Sequence, residues 1–167
     1  MYSYLFEQYT VDNPKLNFDN LVLWIIHSDK TPPHVGISKN YKFYSLKATG
    51  RDFGLLTKDA LALLKRKKIE VITLELKNKV HLKDIEVLFS NYSQAIPKKV
   101  SCISPILQCL NIDKPILLYD LLKYLASHNL ISEVSVYNFH RETLALGIYD
   151  DKDVALEIEK LQGDKRK

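Results

Sequence analysis

Residues 21–26, Leu-Val-Leu-Trp-Ile-Ile, form a continuous apolar run of six. Such a run is too short for an ordinary helix, and its branched and aromatic side chains suit a buried strand. The segment "SDKTPP" breaks it, and Pro32-Pro33 cannot continue a ladder, so the chain must turn before His34. "HVGIS" and "KFYSLK" then read as two strands joined at Lys39-Asn40-Tyr41. Three strands in close succession, two of them sharing a short turn, commit this part of the chain to a sheet.

The remaining sequence alternates strand and helix patterns. "YSYLFEQY" fits a strand or a short helix, and Asn13-Pro14 breaks the connection that follows. "ATGRDFG" reads as a loop. Thr57 is a candidate cap for a helix, "TKDALALLKRKK", whose buried side takes Leu61 and Leu64, with Leu63 beside them. In "IEVITLELK", Ile72, Leu74 and Leu76 alternate with Thr73, Glu75 and Lys77, the period of a strand. "LKDIEVLFSNY" places Leu82, Ile85, Leu88 and Phe89 on one helical face. Ser101 or Ser104 can cap the next helix, with Pro105 tolerated in its first turn. "KPILLYDLLKYLASHNL" carries a Leu117, Leu118, Leu121, Leu122, Leu125 stripe and ends near His128-Asn129. "SEVSVYNFHRETLALGIY" reads as a hairpin turning at His140-Arg141, and "DKDVALEIEKLQ" as a last helix stopping at Gly163. Together these predict an α+β fold, an antiparallel sheet with helices packed on it, in a single domain over 1–167.

The net charge is +4, much of it in Lys65-Arg66-Lys67-Lys68 and Lys165-Arg166-Lys167. Such runs can mark a phosphate-rich partner, but they equally suit a solvated helix end, where cations complement the dipole, and a tail. The aromatic residues Tyr41, Phe43 and Tyr44 fit sheet packing as well as base stacking, so a nucleic-acid partner is not the expectation. The N-terminal segment has no basic stretch followed by a long apolar one, and the early apolar run is far short of a membrane span. A soluble, cytoplasmic chain without an integral membrane segment is expected. There is no CxxC, no HExxH and no glycine-rich phosphate loop, so no metal and no cofactor are expected.

Chemistry is expected from cysteine and histidine. Cys102 and Cys109 are seven residues apart, and two turns of one helix would hold them about 10 Å apart, beyond disulfide reach. Cys102 sits where a helix should begin, the place where dipole and free N–H groups favour a thiolate. Cys109, two turns further in, fits a buried structural thiol. Of the five histidines, His34 at the start of its strand best suits a partner for a thiol at a helix N-terminus. His27, ending the apolar strand, is second. The alternatives are a Cys102 that fills the core, since cysteine is among the most buried residue types, and a His34 that is only structural.

The run "LVLWIIHSDKTPPHVGISKNYKFYSL", with "SCISPILQCL" further on, resembles the circularly permuted papain-like fold of the NlpC-type peptidases and lecithin:retinol acyltransferase-like proteins. The resemblance covers residues 20–48 and 100–112, and its order, histidine before cysteine, is the permuted one. It implies Cys102 as nucleophile, His34 as base and Ser45 near the third polar position that orients the imidazole. The family usually holds histidine, glutamate or asparagine at that third position, and asparagine where Ser101 stands here. The activity implied is a cysteine-dependent hydrolase or acyltransferase acting on a peptide, amide or lipid-ester bond. The other readings of the same residues are a catalytically silent partner-binding protein, docking through this groove or through the face of the 133–149 hairpin, and a basic nucleic-acid binder.

Overall fold

The apolar run is strand β3 (Val22–Ile26), and all five of its residues are buried. In this computed structural model, which describes residues 1–165, it lies inside a seven-stranded sheet. Ahead of it come β1 (Tyr4–Leu5) and β2 (Thr10–Val11), and after it β4 (His34–Lys39), β5 (Lys42–Lys47), β6 (Gly50–Leu56), β7 (Val71–Leu76), β8 (Ile131–Tyr137) and β9 (Ala145–Leu146). The large sheet runs β2-β8-β7-β3-β4-β5-β6. Its neighbours are antiparallel except for β2 beside β8, and β1 pairs with β9 apart from it. Among the described residues five helices complete the α+β fold: α1 (Thr57–Arg66), α2 (Ile85–Phe89), α3 (Ser104–Cys109), α4 (Leu118–Ser127) and α5 (Asp151–Lys165). No helix among the described residues is long and apolar enough to cross a membrane. Arg166 and Lys167 of the C-terminal basic run lie outside the described residues.

Two cores explain why β3 has no polar face. Leu23 and Ile25 join Val35, Ile37 and Leu74 beneath Ile106 of α3 and Leu121 of α4. On the other face Val22, Trp24 and Ile26 meet Phe43, Val71 and Ala60 of α1. Trp24 stacks on Phe18 at 5.2 Å, tilts against Phe43 at 4.8 Å, and donates its indole N–H to Ser38 Oγ at 2.8 Å. Gly36 lies between Trp24 and Ser45 in the register, and a Cβ there would come within 2.5 Å of the Phe43 ring.

The turn between β4 and β5 is the short one expected. Asn40 and Tyr41 both have left-handed backbones, at φ 51° and 64°, as a two-residue turn matched to strand twist requires. Asparagine tolerates that region; tyrosine does so rarely. Tyr41 is held there by its own peptide groups, its N–H donating to Phe18 O at 2.9 Å and its C=O accepting from Thr57 N at 3.0 Å.

Four sequence expectations are corrected. The stretch 48–54 is no loop: most of it belongs to β6, whose glycines imitate a turn in the sequence. Gly54, at φ +69°, is the extra residue of a bulge, since Phe43 faces Leu55 and Tyr44 faces Phe53. Thr57 is buried as the first residue of α1 and makes no capping bond, the N-cap being Leu56. Residues 133–149 form no hairpin, because β8 pairs with β7 and β2 while β9 pairs with β1. The last helix passes through Gly163 to Lys165; one helical glycine costs only about 1 kcal/mol and does not end a helix by itself.

Removing the hydroxyl in Ser38→Ala would leave the Trp24 indole N–H buried without a partner, at a cost of about 1–3 kcal/mol. Adding Trp24→Phe removes that orphaned donor, so the double variant should lose less stability than the two single losses summed, as read from urea unfolding of all four proteins.

Candidate functional site

His34 opens β4 directly after Pro33, and its position depends on the loop before it. His27 leaves β3 with a left-handed backbone, φ 55°. Ser28 is then fixed to Glu70, its N–H to the backbone oxygen at 3.2 Å and its Oγ to Oε1 at 2.7 Å. Arg141 closes this lock with Nη2 at 2.7 Å from Glu70 Oε1 and Nε at 3.1 Å from Oε2. Glu70 is only 5% exposed, so its charge is met by a guanidinium and a hydroxyl instead of water. Polar residues that look like loop chemistry in the sequence thus pin the entrance to β4.

At that entrance β4 and β5 part. Their ladder runs from Gly36↔Ser45 to Lys39↔Lys42 and leaves His34 and Val35 beyond its end. The backbone N–H groups of Val35, Cys102 and Ile103 favour the thiolate form of Cys102. Lys47 O, on the departing strand, accepts from Ala95 N at 2.8 Å. Cys102 lies two residues ahead of α3, whose N-cap is Ile103. Ser104, an expected cap, is the first helical residue, and its Oγ accepts from the Ser101 N–H at 2.9 Å.

Strand alternation places His34 on the same sheet face as Gly36, Ser45 and Asp52. Cys102 arrives from the opposite side, packed against the larger core. Both nevertheless line one groove of about 1670 Å³, which His27, Asp52 and Tyr149 also line. Ser45 Oγ donates to Asp52 Oδ2 at 2.8 Å, and Lys47 Nζ lies 3.2 Å from Oδ1. Ser45 therefore holds a carboxylate, and Asp52 is the anion whose charge acts on His34.

Burial dominates the protonation of the pair. It lowers the His34 pKa to about 4, against the opposing pull of Asp52, with Lys47 and His27 lowering it further. His34 Nε2 is buried and makes no hydrogen bond. Burial raises the Cys102 thiol, and the three N–H groups pull it down by less. Near neutral pH the site holds a neutral imidazole and a neutral thiol, so no ion pair is formed in advance. The imidazole can take a proton, and the surrounding amides can receive a thiolate once it forms.

The other candidates separate from this site. Cys109 is a buried thiol in α3, pushed up to about 12 by burial, and both cysteines are free. His128 caps α4, with Nδ1 2.9 Å from Tyr124 O. His81 and His140 are exposed. No cluster of three or more metal-ligating side chains occurs among the described residues. Asp52 and Tyr149 escape the sequence reading, the first inside a stretch read as a loop and the second inside one read as a hairpin. Strand period across 50–56 would have placed Asp52 beside Ser45, had the glycines not signalled a turn.

No family model, curated protein or solved structure matches the chain in any of the three comparisons made.

A histidine held near pKa 4 when folded and about 6.5 when unfolded is protonated first in the unfolded chain. Between those values the unfolded state binds more protons, so His34 makes stability fall as pH falls from 6.5 to 4, by up to about 3 kcal/mol. Replacing it as His34→Asn should flatten this part of the acid limb relative to the wild type, as measured by urea unfolding at stepwise pH; parallel limbs would refute the burial of a neutral ring.

Proposed function

We propose that the chain is a thiol hydrolase or acyltransferase in which Cys102 is the nucleophile and His34 the base. A core related to the permuted papain-like fold is part of the same proposal. The observation that carries it is that His34, Val35 and Cys102 line one groove, with Cys102 two residues ahead of α3. A thiol just ahead of a helix and an imidazole on the same groove are the two groups this chemistry needs.

The sulfur attacks an ester or amide carbonyl carbon while His34 takes the thiol proton. The carbonyl π pair moves to oxygen, and its return expels the leaving group, which receives the proton from His34. Water or another acceptor then attacks the thioester, His34 taking and returning a proton, and the thiol is restored. Asp52, held by Ser45 and Lys47, favours the imidazolium formed in both halves. Ser45 acts through that carboxylate.

A second reading has two observations in its favour. The raised thiol and the unbonded His34 Nε2 also suit a groove that binds a partner without chemistry. Hydrolysis of p-nitrophenyl butyrate separates the two. Cys102→Ala should abolish turnover, His34→Asn should lower it by about 10²–10⁴, and Cys109→Ala should retain it. A wild-type chain without turnover, whose Cys102 is alkylated by iodoacetamide no faster than a free thiol across pH 6–9, would leave binding as the function of the groove.

A further inference from the structure

Three segments meet at the end of the sheet where β3 stops and β7 starts. They are the 27–33 loop, the end of α1 with residues 65–70, and residues 138–142 after β8. Hydrogen bonds tie them together. Ser28 and Arg141 both bond to Glu70, Arg141 Nη2 also donates to Ser28 O at 3.3 Å, and Asn138 Nδ2 donates to Ile69 O at 2.7 Å. Lys65 Nζ lies 4.9 Å from the centre of the Tyr137 ring, so the end of α1 rests against the end of β8. The backbone that carries this surface is fixed by these contacts.

The positive charge of the chain is concentrated there. The three segments hold six Lys and Arg against three Asp and Glu, which is three of the four net positive charges. Of the carboxylates, Asp29 and Glu142 are exposed, and Glu70 is buried and paired with Arg141. Lys30, Lys65, Arg66, Lys67 and Lys68 are exposed, and among the described residues no carboxylate lies within 4 Å of any of them. Helix α1 does not need them as caps. Leu63 O accepts from Lys67 N, Leu64 O from Ile69 N and Lys65 O from Lys68 N, each at 3.0 Å. Like charges gathered on a fixed surface repel one another, and an anionic partner relieves that repulsion.

The surrounding side chains select among anions. No large apolar side chain of these segments is exposed, so nothing there would insert into a lipid surface. Their only aromatic ring besides histidine, Phe139, is half-buried against Tyr9, so unstacked bases find no platform. What remains is contact with phosphates alone. We propose that this end of the sheet docks the phosphodiester backbone of a nucleic-acid duplex, by charge and without reading base sequence. A duplex carries one charge per about 1.7 Å of its axis, a dense array for the four consecutive cations of α1 and Lys30 on the neighbouring loop. The surface is independent of the thiol chemistry, and neither reading depends on the other.

The test is fluorescence anisotropy with a short labelled DNA duplex, titrated from low to physiological salt. The wild type should bind at low salt, with log affinity falling linearly against log salt, and equally for duplexes of unrelated sequence. The double variant Arg66→Ala/Lys67→Ala should bind more weakly and with a slope shallower by about two. Lys39→Ala/Lys42→Ala removes the same charge at the opposite end of β4 and β5 and should bind as the wild type does. Equal losses in the two double variants would overturn the proposal, since net charge alone would then explain the binding. Absence of binding at low salt would overturn it, as would tighter binding to the single strand or binding to phosphatidylserine vesicles without binding to the duplex. If Arg66→Ala/Lys67→Ala unfolds early on heating, Lys30→Ala supplies the second measurement, with a slope shallower by about one.

Discussion

Strand β3 must be covered on both faces, and the architecture follows from that requirement. Five apolar residues with no polar face cannot end a sheet or face water. They need a ladder partner on each side, supplied by β4 and β7, and a layer above and below, supplied by α1 and by α2 to α4. Each layer packs on one alternate set of side chains, so a shift of one residue would exchange Trp24 for Leu23 and misfit both cores. The Trp24–Ser38 hydrogen bond adds to that choice, since it is made in this register.

The groove is where this double coverage runs out. Beyond Ile26 the chain leaves the sheet, the Glu70–Arg141–Ser28 lock fixes the exit, and β4 begins without a ladder partner on its β5 side. Cys102 lines the groove there. The same burial that stabilises the two cores makes ionised imidazole and thiolate unfavourable here, so both groups rest in their neutral forms. In the proposed reaction any charge is made during the step itself and received by dipoles already in position.

How much of this was legible in the sequence depends on the range of the interaction. The strands β3, β4, β5 and β7 and the stripe of α4 are written in local periodicity, and the structure has them where the pattern puts them. Leu118, Leu121, Leu122 and Leu125 are buried as that stripe requires, whereas Leu117 is the half-buried N-cap ahead of α4 and Leu63 is exposed. The failures are contacts between distant segments. Val134 and Val136 carry a strand pattern, but nothing local says that their partners are Leu74 and Ile72 or that the N-terminal Val11 joins from the other side. For the site, Cys102, His34 and Ser45 could be singled out one by one. That Ser45 would bond to Asp52, and that Tyr149 would reach the groove, depends on pairings that local patterns do not encode.

The bulge at Gly54 has a consequence for how copies of the chain meet. An open sheet exposes two edges, and here they are unequal: β2 has two residues, β6 has seven. A straight edge of that length, with Phe53, Leu55 and Leu56 exposed along it, would serve as a template for a neighbouring strand. Gly54 breaks the alignment, and Arg51, three residues earlier, is tied back to the carbonyls of Phe89 and Tyr92. The residue that disguises β6 as a loop is thus a safeguard against polymerisation, and its effect belongs to concentrated solution more than to the isolated fold.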